Sequence, residues 1–227
     1  MRGEQPREKL AKATEIAAYL ALHPGANRDR VTEAVWPVKR IAVNYRQQVM
    51  SSLRGWLGTA DDGDPYLGLY VLHPDVRCDW TEFETLARKG FAAGSDGVAD
   101  LEAALGLVRD RPFAGVRCGT YAWADVLIQE DIIPAIRDVA DAVATIRLAV
   151  SDPAGARAAA AKGLLVEPCS EVLLRLALRA ALSRGDDADV AELVARIDKI
   201  EDELDDNDPE IVELLATVQL ARTSSRY

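Results

Sequence analysis

Apolar positions recur at helical spacing through most of the chain, and the clearest run comes first. Over Glu8–Leu22, Leu10, Thr14, Ala17, Ala18 and Ala21 share one stripe beside Ile16 and Leu20, which predicts an amphipathic helix. HisProGly at His23–Gly25 ends it, since proline disfavours helix in the residue before it. Asn27 is a natural N-cap for a second helix, Arg28–Trp36, in which Val31 and Val35 stand one turn apart and which Pro37 stops. A third helix is expected over Ala42–Leu57. Stepping 100° per residue puts Ala42, Tyr45, Val49, Leu53, Trp56 and Leu57 on one side as core. The other side carries Asn44, Gln47, Gln48, Ser51 and Gly55, with Arg54 at its edge. Arg46 falls on the apolar side, from where its long stem can snorkel to water.

Beyond that helix the pattern changes. Thr59–Pro65 is dense in Asp, Gly and Pro and reads as a turn, Tyr66–Leu72 has the period of a strand, and Val76–Cys78 is a short candidate edge partner. Three helices followed by a hairpin outline a winged helix-turn-helix, whose third helix enters a DNA groove. From Asp79 onward only helices are expected, at about Trp80–Lys89, Val98–Arg109, Trp123–Val150, Pro153–Val166, Glu171–Arg184, Ala188–Leu204 and Pro209–Leu220. Pro134 should kink the Trp123–Val150 segment or mark its true start. Asp152 and Asp186, and likewise Ala154 and Ala188, stand 34 residues apart. That is the period of a tetratricopeptide helix pair. The predicted fold is therefore mainly α: a small α+β winged helix over residues 1–78, without strands ahead of its first helix, then an all-α, tetratricopeptide-like helical-pair domain over residues 79–227.

Charge sharpens the picture. Residues 1–58 hold 10 Lys+Arg against 5 Asp+Glu, whereas residues 59–227 hold 17 against 32, so a chain of net charge −10 is basic only where DNA contact is expected. Asn and Gln can pair bidentately with an adenine edge, which makes Asn44, Gln47, Gln48 and Ser51 the candidate base-facing residues. Lys39, Arg40 and Arg54 flank them as candidate phosphate contacts. Between residues 59 and 79 there are five Asp and a single cation, Arg77, so the wing repels phosphate and the expected affinity for double-stranded DNA is low.

Other classes fare worse. His23 and His73 each precede a proline in an expected turn, and the motifs of phosphate loops, nucleophile elbows, zinc sites and dinucleotide folds are missing, so no catalytic residue, metal or cofactor is expected. Cys78, Cys118 and Cys169 have no metal-ligand spacing and are odd in number, and with no apolar run long enough for a membrane helix and no secretory leader, a cytoplasmic protein is expected. Trp80, Phe83, Phe113, Tyr121 and Trp123 are expected to pack the join between the two domains. The start directly on a helix, behind polar Met1–Arg7, leads to the expectation of a fragment of a longer protein.

Taken together the motifs resemble the activators that join an OmpR-like winged helix to a bacterial transcriptional activator domain, as in antibiotic regulatory proteins. The resemblance runs through LeuAlaLeuHisProGly (Leu20–Gly25), ArgValThrGluAlaValTrpPro (Arg30–Pro37), SerSerLeuArgGlyTrpLeuGly (Ser51–Gly58) and GlyLeuTyrValLeu (Gly68–Leu72). It continues in AspTrpThrGluPheGlu (Asp79–Glu84), ArgProPheAlaGly (Arg111–Gly115), TrpAla (Trp123–Ala124) and GluProCysSerGlu (Glu167–Glu171), in an order that spans most of residues 8–220. It implies DNA binding by the first domain, and contact with RNA polymerase, another protein or a second copy of the chain by the second. Where the family's recognition helix carries several arginines, this chain has Val43, Gln47, Ser52 and Gly55. Two readings follow: a transcriptional regulator module, or a winged helix that has lost its DNA face and serves with the helical repeats as a protein-interaction module.

Overall fold

A computed structural model describes residues 8–37, 43–57, 72, 75–117, 119–204 and 216, and for 8–10, 54–57 and 201–204 it describes helical placement alone. The described chain is mainly helical. It divides into two compact units, one of residues 1–82 with 115–128, the other of residues 83–114 with 129–227.

The first unit is built on α1 (Glu8–Leu22), which packs against both α2 (Arg28–Val35) and α3 (Val43–Leu57). Its core joins Ala13, Ile16, Ala17, Tyr19 and Leu20 of α1 to Ala26, Val31, Val35, Val49 and Leu53. The local signals act as their chemistry requires. After α1 the His23 N–H donates to the Tyr19 carbonyl at 2.8 Å, and Gly25 takes the left-handed φ of 81° that turns the chain. Asn27 Oδ1 accepts from the Arg30 N–H at 2.9 Å, capping α2. The later segment Gly115–Ile128 folds back into this unit, with a 3-10 turn at Ala122–Ala124 and one helical turn, α6 (Asp125–Leu127). Ala124 is fully buried there, and Trp123 packs on the core.

The expected hairpin is met only in part. Leu72 is a single bridging residue, and Thr59–Pro65 and Tyr66–Val71 lie outside the described residues. Val76–Cys78 is not a strand. The Cys78 carbonyl accepts from the Glu82 N–H at 3.1 Å and from Thr81 Oγ1 at 2.9 Å, so it already serves the first turn of α4 (Asp79–Ala93) instead of a ladder.

In the second unit the rest of α4 is followed by a 3-10 turn at Gly94–Gly97 and α5 (Val98–Leu107). The expected Trp123–Val150 helix is interrupted: after α6 comes a π-helical turn, Ile128–Ile132, and then α7 (Ile133–Ala149). Pro134 closely follows that π-helical turn, and the backbone ahead of it stays helical (Ile132 φ −72°, ψ −51°), so the proline, which has no N–H to donate, sits beside a local distortion of a continuing helical run. Next come α8 (Pro153–Val166), α9 (Glu171–Arg184) and α10 (Asp187–Leu204). Consecutive helices pack on one another, and α7 also reaches α9. Their connections are too short for anything but reversal of direction. Ala156, Ala159, Ala160 and Gly163 of α8 are buried, which brings its backbone close to its neighbours. Asp152 Oδ1 accepts from the Gly155 N–H at 2.9 Å and Asp186 Oδ1 from the Asp189 N–H at 3.2 Å, so the two aspartates 34 residues apart perform the same capping task. The expected helix over Pro209–Leu220 lies outside the described residues, Ala216 excepted.

Candidate nucleic-acid interface

The interface starts from how α3 is seated. Val49 and Leu53 are 0% exposed and belong to the core of the first unit, so the helix is pinned by one side. Tyr45, Arg46, Met50 and Ser52 flank that seam half-buried. The remaining arc of described side chains, Val43, Asn44, Gln47, Gln48 and Ser51, is exposed. Asn44, Gln47, Gln48 and Ser51 thus share one solvent face, as four residues at these spacings on a helix must when positions 49 and 53 point inward. Arg54 lies in the last turn of α3, and its side chain is outside the described set, as are Lys39 and Arg40 entirely.

Arg46 does not join the exposed face. Its Nη1 lies 3.4 Å from Thr32 Oγ1 on α2, a long hydrogen bond, while Thr32 Oγ1 donates to the Arg28 carbonyl at 2.8 Å. Two further cations, Arg28 and Arg30, are exposed in the first turn of α2 but alternate with the exposed acids Asp29 and Glu33. Sequence reasoning passed them over because they precede the expected recognition helix.

A second constellation in the same unit escaped sequence reasoning altogether. Glu15, on α1, is 2% exposed. Lys12 Nζ lies 2.6 Å from its Oε2, and the Tyr121 N–H donates to its Oε1 at 3.2 Å. Lys12 Nζ also donates to the Val35 carbonyl at 3.1 Å and stands 6.0 Å from the centre of the Trp36 ring. One ion pair therefore ties α1 to the end of α2 and to the returning segment. Tyr121 holds a left-handed φ of 64° at this contact. Burial, and then the Glu15 charge, push the Tyr121 hydroxyl up to about 12, so it stays protonated near neutrality. Beside it Tyr19 stacks on His23 at 4.2 Å between ring centres, and Trp123 meets both edge-on at 5.0 and 5.5 Å. His23 Nδ1 lies 3.0 Å from the Tyr19 carbonyl. The signal in the sequence was a glutamate on the apolar stripe of α1, flanked by Ile16 and one turn before Tyr19. These rings fill the space between themselves, which is packing chemistry.

Among the described residues, no three His, Cys, Asp or Glu side chains are disposed to hold a metal ion, and no helix is long and apolar enough to cross a membrane. Cys78 is half-buried and Cys169 exposed, both as free thiols, and Cys118 lies outside the described residues. Compared with models of known protein families the chain matches none, and a comparison with curated proteins finds no match either.

Proposed function

We propose that the chain is a transcriptional regulator module of the kind its motifs resemble. In this reading the first unit is a winged helix that binds double-stranded DNA through α3, and the helices from α7 onward are a tetratricopeptide-like surface for RNA polymerase, another protein or a second copy. The observation that carries it is the exposed polar arc Asn44, Gln47, Gln48 and Ser51 on a helix held rigidly by buried Val49 and Leu53. Such an arc offers hydrogen-bond donors and acceptors of the type that base edges require. The basic balance of residues 1–58 supports the same reading.

Lys39, Arg40 and Arg54 supply three cations for phosphate, which sets a slope of about −3 in log affinity against log salt, at roughly 0.9 per neutralised phosphate. The aspartates of residues 59–79 reduce it further. Binding is therefore weak, visible at low salt and strengthened by dimerisation. The test is a fluorescence titration of a mixed duplex pool at low salt with wild type and with the Lys39→Glu/Arg40→Glu variant, folding being checked by circular dichroism. Retention by wild type and loss in the double variant is the expected result. No binding by wild type, or binding unchanged by the double reversal, overturns the DNA reading and leaves the protein-interaction module in its place.

A further inference from the structure

The exposed arc of α3 carries an apolar side chain beside its polar ones. Val43, the first residue of α3, is 54% exposed. Its neighbours on the arc are Asn44, Gln47 one turn further on, and Ser51 one turn beyond that. Among the residues of the arc whose side chains are described none is Arg or Lys, and the neighbouring Arg46 is turned toward Thr32 on α2. Resting on the DNA reading above, we propose that this face selects A·T base pairs through the major groove: Asn44 and Gln47 address adenine, and Val43 packs on the methyl group of thymine.

Three physical points carry the assignment. A carboxamide matches adenine N6 and N7 with one donor and one acceptor, whereas bidentate recognition of guanine O6 and N7 needs the paired donors of Arg or Lys. Thymine alone presents a methyl group in the major groove, and an exposed branched apolar side chain is its complement. Residues one turn apart on a helix stand about 5–6 Å from each other, while bases rise about 3.4 Å per step, so Val43 and Gln47 reach different base pairs close together along one groove. The first turn of a recognition helix is also the part that goes deepest toward base edges. A docked protein is the poorer occupant: one valine among amides and a serine is far less apolar area than a protein interface buries.

The test uses the full chain at low salt with four duplexes of equal length. One is A·T-rich and one G·C-rich; the third replaces adenine by 7-deazaadenine in the A·T-rich duplex, and the fourth replaces thymine by uracil. The expected preference for the A·T-rich over the G·C-rich duplex is on the order of tenfold to a hundredfold. Loss of adenine N7 should remove most of that preference, and loss of the methyl group about fourfold of it, the worth of one buried methyl. Val43→Ser should bind thymine and uracil duplexes alike, and Asn44→Ala/Gln47→Ala should keep only the preference of about fourfold that Val43 and the thymine methyl supply. Equal binding of A·T-rich and G·C-rich DNA by wild type overturns the inference while leaving the DNA reading intact. So does an A·T preference that survives both base replacements, which would belong to groove shape. Failure to bind any of the four duplexes overturns the DNA reading itself.

Discussion

Replacing Gly163 by alanine places a methyl group where α7, α8 and α9 leave no room for one. A Cβ at Gly163 would overlap Leu173 Cδ1 and lie 2.8 Å from the Cβ of Ala140. Leu173 and Ala140 are both 0% exposed, and an alanine has no rotamer with which to yield. The helices must move apart by several tenths of an ångström. Two effects then compete. Alanine in a helix interior is favoured over glycine by about 1 kcal/mol, while overpacking a full core costs about 1–3 kcal/mol. With one obstructing atom fixed to a backbone, overpacking wins, and the expected net loss is about 1–2 kcal/mol, or roughly 3–6 °C in Tm for a chain of this size. Gly106 of α5 is the control. It is exposed, and a Cβ there meets nothing within 4 Å. Gly106→Ala should therefore gain about 0.5 kcal/mol from propensity alone, less than the full value because it lies near the helix end. Urea unfolding followed by far-UV circular dichroism, with a thermal scan of each variant, reads both. If Gly163→Ala raises the midpoint, or if the two substitutions move it in the same direction, then the close approach of these helices is not what requires glycine.

Glu15→Ala should destabilise the first unit by about 1–3 kcal/mol, below the range for a fully buried pair because Lys12 keeps 29% of its side chain exposed and can turn to water. Glu15→Gln, which keeps an acceptor for the Tyr121 N–H, should lose less, and tryptophan fluorescence during urea unfolding measures both; equal losses would mean that the Tyr121 contact contributes nothing. In the second unit Arg157 binds Asp189 through two hydrogen bonds of 2.8 Å, which hold the carboxyl below its ordinary 3.8. A depressed carboxylate contributes stability that is complete above its unfolded value and disappears as pH falls through its folded one. The gap in urea midpoint between wild type and Asp189→Asn should stay constant from about pH 7 to about pH 5 and close below about pH 4. A gap that persists at low pH would assign the effect to packing and not to charge.

What the sequence determined by itself are the features decided within a few residues. Asn27 caps α2 because its side chain reaches an N–H three residues on, and Asp152 does the same for α8. Pro134 signals a disturbance within the Trp123–Val150 segment, and the π-helical turn Ile128–Ile132 lies just ahead of it. The seat of α3 follows from the spacing of Val49 and Leu53, so the exposure of Asn44, Gln47, Gln48 and Ser51 was legible before any coordinates. Val43 stood in the sequence only as a position where the resembled family carries arginine; its exposure, and the contact of Arg46 with α2, came from the structure. Val76–Cys78 has β-compatible side chains yet is not a strand, because the Cys78 carbonyl is taken by the Glu82 N–H and Thr81 Oγ1 of the helix that follows. Only tertiary structure joined Gly115–Ile128 to the first unit. That joining is made by Glu15 and Tyr121, 106 residues apart, and by Trp123 on Tyr19 and His23. A carboxylate on an apolar stripe becomes tolerable when a lysine and a backbone N–H satisfy it, and the N–H arrives from a distant segment whose spacing along the chain leaves no trace in local pattern.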